Sequence, residues 1–253
     1  MRLCYLGGEE RRRSLQEAAS PGVVVGILDD FTASALRPEV IESLYDEALL
    51  APWTVEACVE AERRGFDGVI TGCAGDPGVE AAREMVRIPV IGPGEASFHT
   101  AAMLGYRFSV LSPLESTVRP TWSQIRHAGL AERCASVRSV NCPVMALRAG
   151  SPETFQTLLA VAQRCINEDQ ADALVLACAS MSHVFGDRLA GVLPVPVVNV
   201  LRVSVRMAEM LVGSSLTHSK AAYPTPPGRE RWDAHLAGPE PGVAVARRPG
   251  ATA

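Results

Sequence analysis

Lysine is nearly absent. Lys220 is the one lysine in 253 residues and stands beside 23 arginines. A Walker-type Gly-Lys-Ser/Thr phosphate loop is therefore excluded, and a pyridoxal-phosphate Schiff base would have to form on that single residue. Basic excess is missing too. Lys and Arg total 24 against 28 Asp and Glu, for a net charge of −4, so no nucleic-acid partner is expected. Long apolar runs are lacking. The best candidate, Leu189–Leu201, contains Pro194 and Pro196, and no membrane span is expected. Charge arrives by Glu9–Arg13, too early for a signal peptide, which points to a soluble, cytoplasmic protein. The seven cysteines form no C-x-x-C pair; neither a zinc ribbon nor a disulfide framework is indicated, and no metal is expected.

What is present is a core and a repeat. Apolar residues make up 47 % and charged residues 21 %, which is ordinary globular usage and excludes wholesale disorder. Asp67-Gly68-Val69-Ile70-Thr71-Gly72-Cys73-Ala74-Gly75 aligns with Asp172-Ala173-Leu174-Val175-Leu176-Ala177-Cys178-Ala179-Ser180. The same displacement lays Arg2–Gly8 over Arg107–Pro113, and Ile88-Pro89-Val90-Ile91 answers Val195-Pro196-Val197-Val198. Blocks recurring in one order at nearly one spacing mark an internal duplication.

Each half carries four short apolar runs: Leu3–Leu6, Val23–Leu28, Gly68–Thr71 and Val90–Ile91, then Phe108–Leu111, Ala135–Val140, Ala173–Ala177 and Val197–Val200. Such runs suit strands buried on both faces. Helical stretches lie between them, among them Thr54–Arg64 and Pro152–Ile166, the latter with Ser151 as N-cap. Strand–helix alternation predicts parallel βαβ units. The expected fold is α/β: two pseudo-symmetric lobes, each a four-stranded mainly parallel sheet flanked by helices, with the active site between them. The lobes are expected over 1–105, completed by a helix around 203–222, and over 106–202. A Pro/Gly/Arg-rich extension follows at 224–253, with Trp232 as a possible anchor.

Ligands of such sheets sit beyond the carboxyl ends of the strands. Cys73 and Cys178 both occupy that place, one per lobe. A thiol at a helix start is favoured as thiolate, and Asp76 with Pro77 reads as the N-cap and first turn of a helix just after Cys73. Two thiols facing one carbon from opposite sides can invert it: one removes the α-proton and the other returns a proton to the opposite face. The N–H groups of Ala74, Gly75, Ala179 and Ser180 could hold the developing enolate. The bland alternative is a duplicated pair of buried cysteines; Cys4, Cys58, Cys134, Cys142 and Cys165 read as packing residues.

Thr71–Gly78, Ala81-Ala82-Arg83-Glu84, Ile88–Gly92 and Gly94-Glu95-Ala96 closely resemble the hydantoin racemase branch of the aspartate/glutamate racemase superfamily. So do Ile41-Glu42-Ser43 with Tyr45–Ala48, Arg107–Val110, Ala177-Cys178-Ala179 with Met181, and Ser219-Lys220 with Ala222-Tyr223. The resemblance spans roughly residues 1 to 225. It implies a racemase that needs no cofactor, acts on a small molecule, uses Cys73 and Cys178 as its catalytic pair, and is usually a homo-oligomer.

The chain departs from the branch around that pair. Leu6-Gly7-Gly8-Glu9 stands where the branch has an Asn-Pro-Asn-Thr-like loop, and Ser112-Pro113 where it has a Thr-Thr pair. Ser180 replaces a glycine, and Asn199 an aspartate. The acid–base pair is kept while the substrate-holding shell changes, which implies a substrate other than an ordinary hydantoin or α-amino acid. A cis–trans isomerase using one cysteine as nucleophile and a non-catalytic binding protein are the competing functions.

The remaining candidates each have two readings. Gly7 and Gly8 offer backbone N–H groups to a ligand, or form a tight turn requiring positive φ. Ser112 and Thr117 bind substrate or cap a turn. His183 assists proton transfer or faces solvent. Asp76 and Glu95 form an acid pair, or cap helices and bridge domains. Tyr45 closes over the cleft. Arg11-Arg12-Arg13 reads as a solvated helix face.

Overall fold

A computed structural model describes residues 1–28 and 37–229. The extension from Glu230 onward, Trp232 included, lies outside the described residues. The first half runs β1 (Arg2–Tyr5), α1 (Arg12–Ala18), β2 (Val24–Ile27), α2 (Leu44–Arg63), β3 (Gly68–Ile70), α3 (Val79–Met85), β4 (Val90–Ile91) and α4 (Pro93–Leu104). The second runs β5 (Phe108–Ser112), α5 (Glu115–His127), β6 (Cys134–Ser139), α6 (Val144–Ala149), α7 (Pro152–Asn167), β7 (Ala173–Leu176), α8 (Ala179–Ala190), β8 (Val197–Val198) and α9 (Val200–Gly213). Among the described residues every strand pairing is parallel. The two sheets have the same order, β2-β1-β3-β4 and β6-β5-β7-β8.

The duplication is visible in its hydrogen bonds as well. Asp67 accepts the N–H of Arg2 at 2.7 Å. Its counterpart Asp172 accepts those of Tyr106 and Arg107 at 2.8 and 2.9 Å. Each aspartate pins the start of the central strand of its sheet.

Successive side chains on a strand face opposite ways, and this alternation distributes the core. Leu3, Tyr5, Ile70 and Ile91 of the first sheet meet Phe108, Val110, Ala173 and Val175 of the second in one shared cluster with α4 and α9. Cys4, Leu6, Val69 and Val90 point the other way, toward α2 and α3. Leu111, Leu174 and Leu176 do the same toward α6, α7 and α8. The last helix of each half crosses over: α9 packs on β3 and β4, and α4 on β7 and β8. The expected helix near 203–222 runs instead over Val200–Gly213, and Lys220 lies in a turn beyond it.

Two helix readings need correction. The helix read from Thr54 begins ten residues earlier, at Leu44, and passes through Pro52. Ser43 caps it by accepting the N–H of Asp46, and Asp46 accepts the N–H of Glu42 and the Ser43 hydroxyl in return. Asp76 does not cap the helix after Cys73. That helix, α3, starts only at Val79 behind Gly78. The Asp76 carboxylate reaches forward and accepts the N–H groups of Gly94 and Glu95 at 3.0 and 2.7 Å, capping α4. Ser151 caps α7 as expected.

Candidate active site

A cavity of about 450 Å³ opens at the carboxyl ends of the central strands of both sheets. Gly7, Gly8, Cys73, Ala74 and Gly75 line it from the first half, and Ser112, Thr117, Cys178, Ala179 and Ser180 from the second. Ten of the eleven candidate residues from the sequence therefore meet at one place.

His183, the eleventh, is not in the lining; its Nδ1 pairs with the Ser14 hydroxyl at 3.0 Å, joining α8 to α1. Tyr45 is 71 % exposed and also stands outside the lining. Glu95 makes an ion pair with Arg83, so it forms no acid pair with Asp76. Ser112 and Thr117 hydrogen-bond to each other at 2.7 Å, and Thr117 also accepts the N–H of Leu114. Neither Gly7 nor Gly8 has a positive φ. Gly7 is required for space instead: a Cβ there would stand 2.5 Å from the Tyr5 ring and 3.1 Å from its hydroxyl.

The two cysteines are not equivalent. Cys178 is the N-cap of α8, whose first N–H groups have no carbonyl ahead of them in the helix. Cys73 sits in an irregular turn, partly exposed, and receives one N–H, that of Gly75 at 3.4 Å. Burial pushes both thiols up. For Cys178 the N–H groups of Met181 and Ser180, the Arg11 guanidinium and the Ser180 hydroxyl pull back. For Cys73 the neighbouring Glu47, Asp76 and Cys178 add to the rise. Each sulfur is thus placed where a charge on Cys178 keeps Cys73 protonated.

Sequence reasoning overlooked three groups here. Arg11 is not on a solvated face; it is 6 % exposed, lines the cavity, and donates to the Ser180 hydroxyl at 3.0 Å. The signal was its register: Arg11, Leu15 and Ala18 fall on one helical face, and all three are buried. Arg148 donates to the same Ser180 hydroxyl at 3.4 Å. Glu47, on α2, lies over Gly75: a Cβ on that glycine would be 2.2 Å from its carboxylate.

Burial, then the nearby Asp46, raises the Glu47 carboxyl from 4.5 to about 7. The folded chain therefore holds a proton there that the unfolded chain releases, and stability falls as pH rises from about 4.5 to 7. We expect Glu47→Gln to remove that part of the loss, about 1–2 kcal/mol once partial exposure is allowed for. Melting temperatures at pH 5 and 7.5 check it, with the drop smaller in the variant; Asp76, raised by burial to about 7, contributes the same trend in both proteins.

The turn before Cys73 is also tightly built. A Cβ on Gly72 would lie 2.0 Å from the Leu6 carbonyl oxygen, and that strand backbone cannot yield. Gly72→Ala should cost about 1–3 kcal/mol, read as a lower urea midpoint at unchanged slope.

Two parallel four-stranded sheets in tandem, sharing a cleft lined by one cysteine from each, define a class of two-lobed α/β enzymes. Residues 13–208 match the family described as Asp/Glu/Hydantoin racemase. A hydantoin racemase of Paenarthrobacter aurescens is 34 % identical over 82 % of this chain and 88 % of its own length. One from Rhizobium meliloti is 35 % identical over 74 % of this chain and 78 % of its own. Among solved structures, an allantoin racemase from Klebsiella pneumoniae superposes with a TM-score of 0.82 at 28 % identity, covering 90 % of this chain and 94 % of that one. The chain belongs to the Asp/Glu/hydantoin racemase family and is an isomerase. A glutamate racemase from Francisella tularensis shares the fold, with a TM-score of 0.60 at 14 % identity over 86 % of this chain and 83 % of its own.

Proposed function

We propose that this enzyme inverts a carbon acid next to a carbonyl, without a cofactor, using Cys73 and Cys178 as opposed acid and base. The observation that carries the reading is positional: equivalent residues of a duplicated fold bring one thiol from each half to a single small cavity. The Cys178 thiolate takes the α-proton, the electron pair moves into the carbonyl to give an enolate, and the Cys73 thiol delivers its proton to the opposite face. The enzyme then holds the thiolate on Cys73 and the thiol on Cys178, the form that consumes the other enantiomer.

Proton transfer by positioned groups supplies about 10²–10⁴-fold; the rest must come from donors aimed at the enolate oxygen. The substrate class is a cyclic ureide such as a 5-substituted hydantoin or allantoin, or a relative of it. The altered loop at Leu6–Glu9 and Ser112-Pro113 supports a substituent unlike those of ordinary hydantoins. A homo-oligomer is part of this reading and is measured by sedimentation equilibrium.

The test is wild-type enzyme in D₂O with single enantiomers of several 5-substituted hydantoins, allantoin and free amino acids. Decay of optical rotation together with deuterium at the α-carbon is expected for at least one ureide. Lack of exchange with all of them would remove the proposal.

A further inference from the structure

Two guanidinium groups meet at the first turn of α8. The Ser180 hydroxyl accepts from Arg11 Nη2 at 3.0 Å and from Arg148 Nε at 3.4 Å, and both arginines line the cavity. Like charges drawn to one oxygen repel, the more so in a cleft that excludes water. Arg11 has a carboxylate to offset this, that of Glu10 at 2.7 Å. Arg148 has no ion pair among the described residues. Its other contacts are long: Nη1 to the Met145 sulfur at 3.8 Å and Nη2 to the Glu39 carbonyl at 3.4 Å. A second N–H on each Nη is left over.

The two cations also differ in access. Arg11 is fully buried, whereas Arg148 is half-buried with the cavity on its open side. The way to it is apolar. Val144 stands one helical turn before Arg148 on α6, on the same face. It packs in one cluster with Val40, and both line the cavity. The acids of the lining are engaged or elsewhere: Glu10 holds Arg11, Glu39 meets Arg148 through its backbone carbonyl, and Glu47 lies over Gly75. The Ser180 end of the cavity thus carries a reachable cation without a counter-ion, approached along aliphatic side chains.

We propose that Arg148 determines specificity: its Nη groups bind a carboxylate at the end of a short methylene chain on the substrate's reacting carbon. The preferred substrate is then a cyclic ureide with an anionic substituent, a 5-(carboxyalkyl)hydantoin. The assignment rests on the racemase reading and names the substituent which that reading leaves open. Arg148 keeps Nε on Ser180 while it binds, so the hydroxyl beside Cys178 is undisturbed. The carboxylate supplies the charge that the paired guanidinium groups lack, and Val40 and Val144 cover the methylenes.

The test compares hydantoin-5-propionate with its primary amide, two compounds of one size that differ in charge. Wild-type kcat/KM should favour the carboxylate by at least about 10-fold, the ratio expected for charge-assisted bonds to one guanidinium. The preference should lie mainly in KM, because the carboxylate is charged in ground and transition state alike. In Arg148→Gln the carboxylate-to-amide ratio should collapse to near unity, and Arg148→Lys should restore part of it. A wild-type ratio near unity overturns the assignment. So does a ratio that survives in Arg148→Gln, since both substrates then lose alike and the residue serves the fold, the thiol or the enolate. Calorimetric binding of the same two compounds separates this failure from that of the racemase reading. If the carboxylate binds the wild type more tightly by the same factor, and Arg148→Gln abolishes the difference, while no ureide exchanges its α-proton, the subsite stands and the racemase reading falls. Exchange without a charge preference leaves the racemase reading and removes the subsite. Binding of neither compound removes the subsite as well.

Discussion

Cys73→Ser and Cys178→Ser should each lower racemisation by at least about 10³-fold, and the two should fail differently. In Cys73→Ser, Cys178 keeps the N–H groups at the start of α8 and the Arg11 charge, which offset part of the rise that burial imposes on it and favour ionising it over Cys73. It can still remove the proton that faces it, but no thiol waits on the far side. In D₂O one enantiomer should then exchange its α-proton with retention, while the other stays untouched. In Cys178→Ser the remaining thiol is held protonated by burial and by Glu47 and Asp76, so neither enantiomer should exchange at an appreciable rate. Chiral chromatography with mass detection separates the cases. Inversion at the wild-type rate in either variant would show that the two sulfurs do not bracket the reacting carbon.

That such a pair could be named from sequence follows from duplication and strand burial. The eight strands are short; β3, β4, β5 and β7 are buried along their whole length while the edge strands β2 and β6 are only partly so, and the observed strands fall on all eight apolar runs within one or two residues. The copied blocks placed Cys73 and Cys178 at equivalent strand ends without any knowledge of packing. What escaped was information carried by distant partners. Asp76 looks like a local cap, but the N–H groups it accepts are on Gly94 and Glu95, a contact made only once β4 has brought α4 back to the turn. The start of α2 was legible in Ser43 and Asp46, the reciprocal cap of a helix N-terminus; Pro52 masked it, since an interior proline normally ends a helix. Arg148 carried no signal, as nothing in a chain with 23 arginines distinguishes the one that reaches Ser180.

Ser180 gives the second large effect. Its backbone N–H was the group expected to meet substrate; its hydroxyl has partners within the protein. It accepts from Arg11 Nη2 and Arg148 Nε and acts on the Cys178 sulfur as a hydrogen-bond donor that lowers its pKa. Two guanidinium groups thus donate to one hydroxyl beside one thiol, and we expect Ser180 to be a positioning residue that works through Cys178. Ser180→Ala removes one acceptor from each cation, Arg11 keeping Glu10 and Arg148 the Glu39 carbonyl, and removes the hydroxyl donor from the sulfur. Burial, which raises this thiol, is then opposed only by the backbone N–H groups and the Arg11 charge. The Cys178 pKa must rise, and the thiolate fraction at neutral pH must fall. We expect kcat/KM at pH 7 to drop about 10- to 100-fold and the ascending limb of its pH profile to move to higher pH, so that raising the pH recovers part of the loss. Ser180→Thr, which keeps a hydroxyl, should recover more than Ser180→Ala. A lost substrate contact would instead lower kcat/KM equally at every pH, because no proton equilibrium of the free enzyme would have changed. The shift of the limb therefore decides whether the Ser180 hydroxyl serves the substrate or the sulfur.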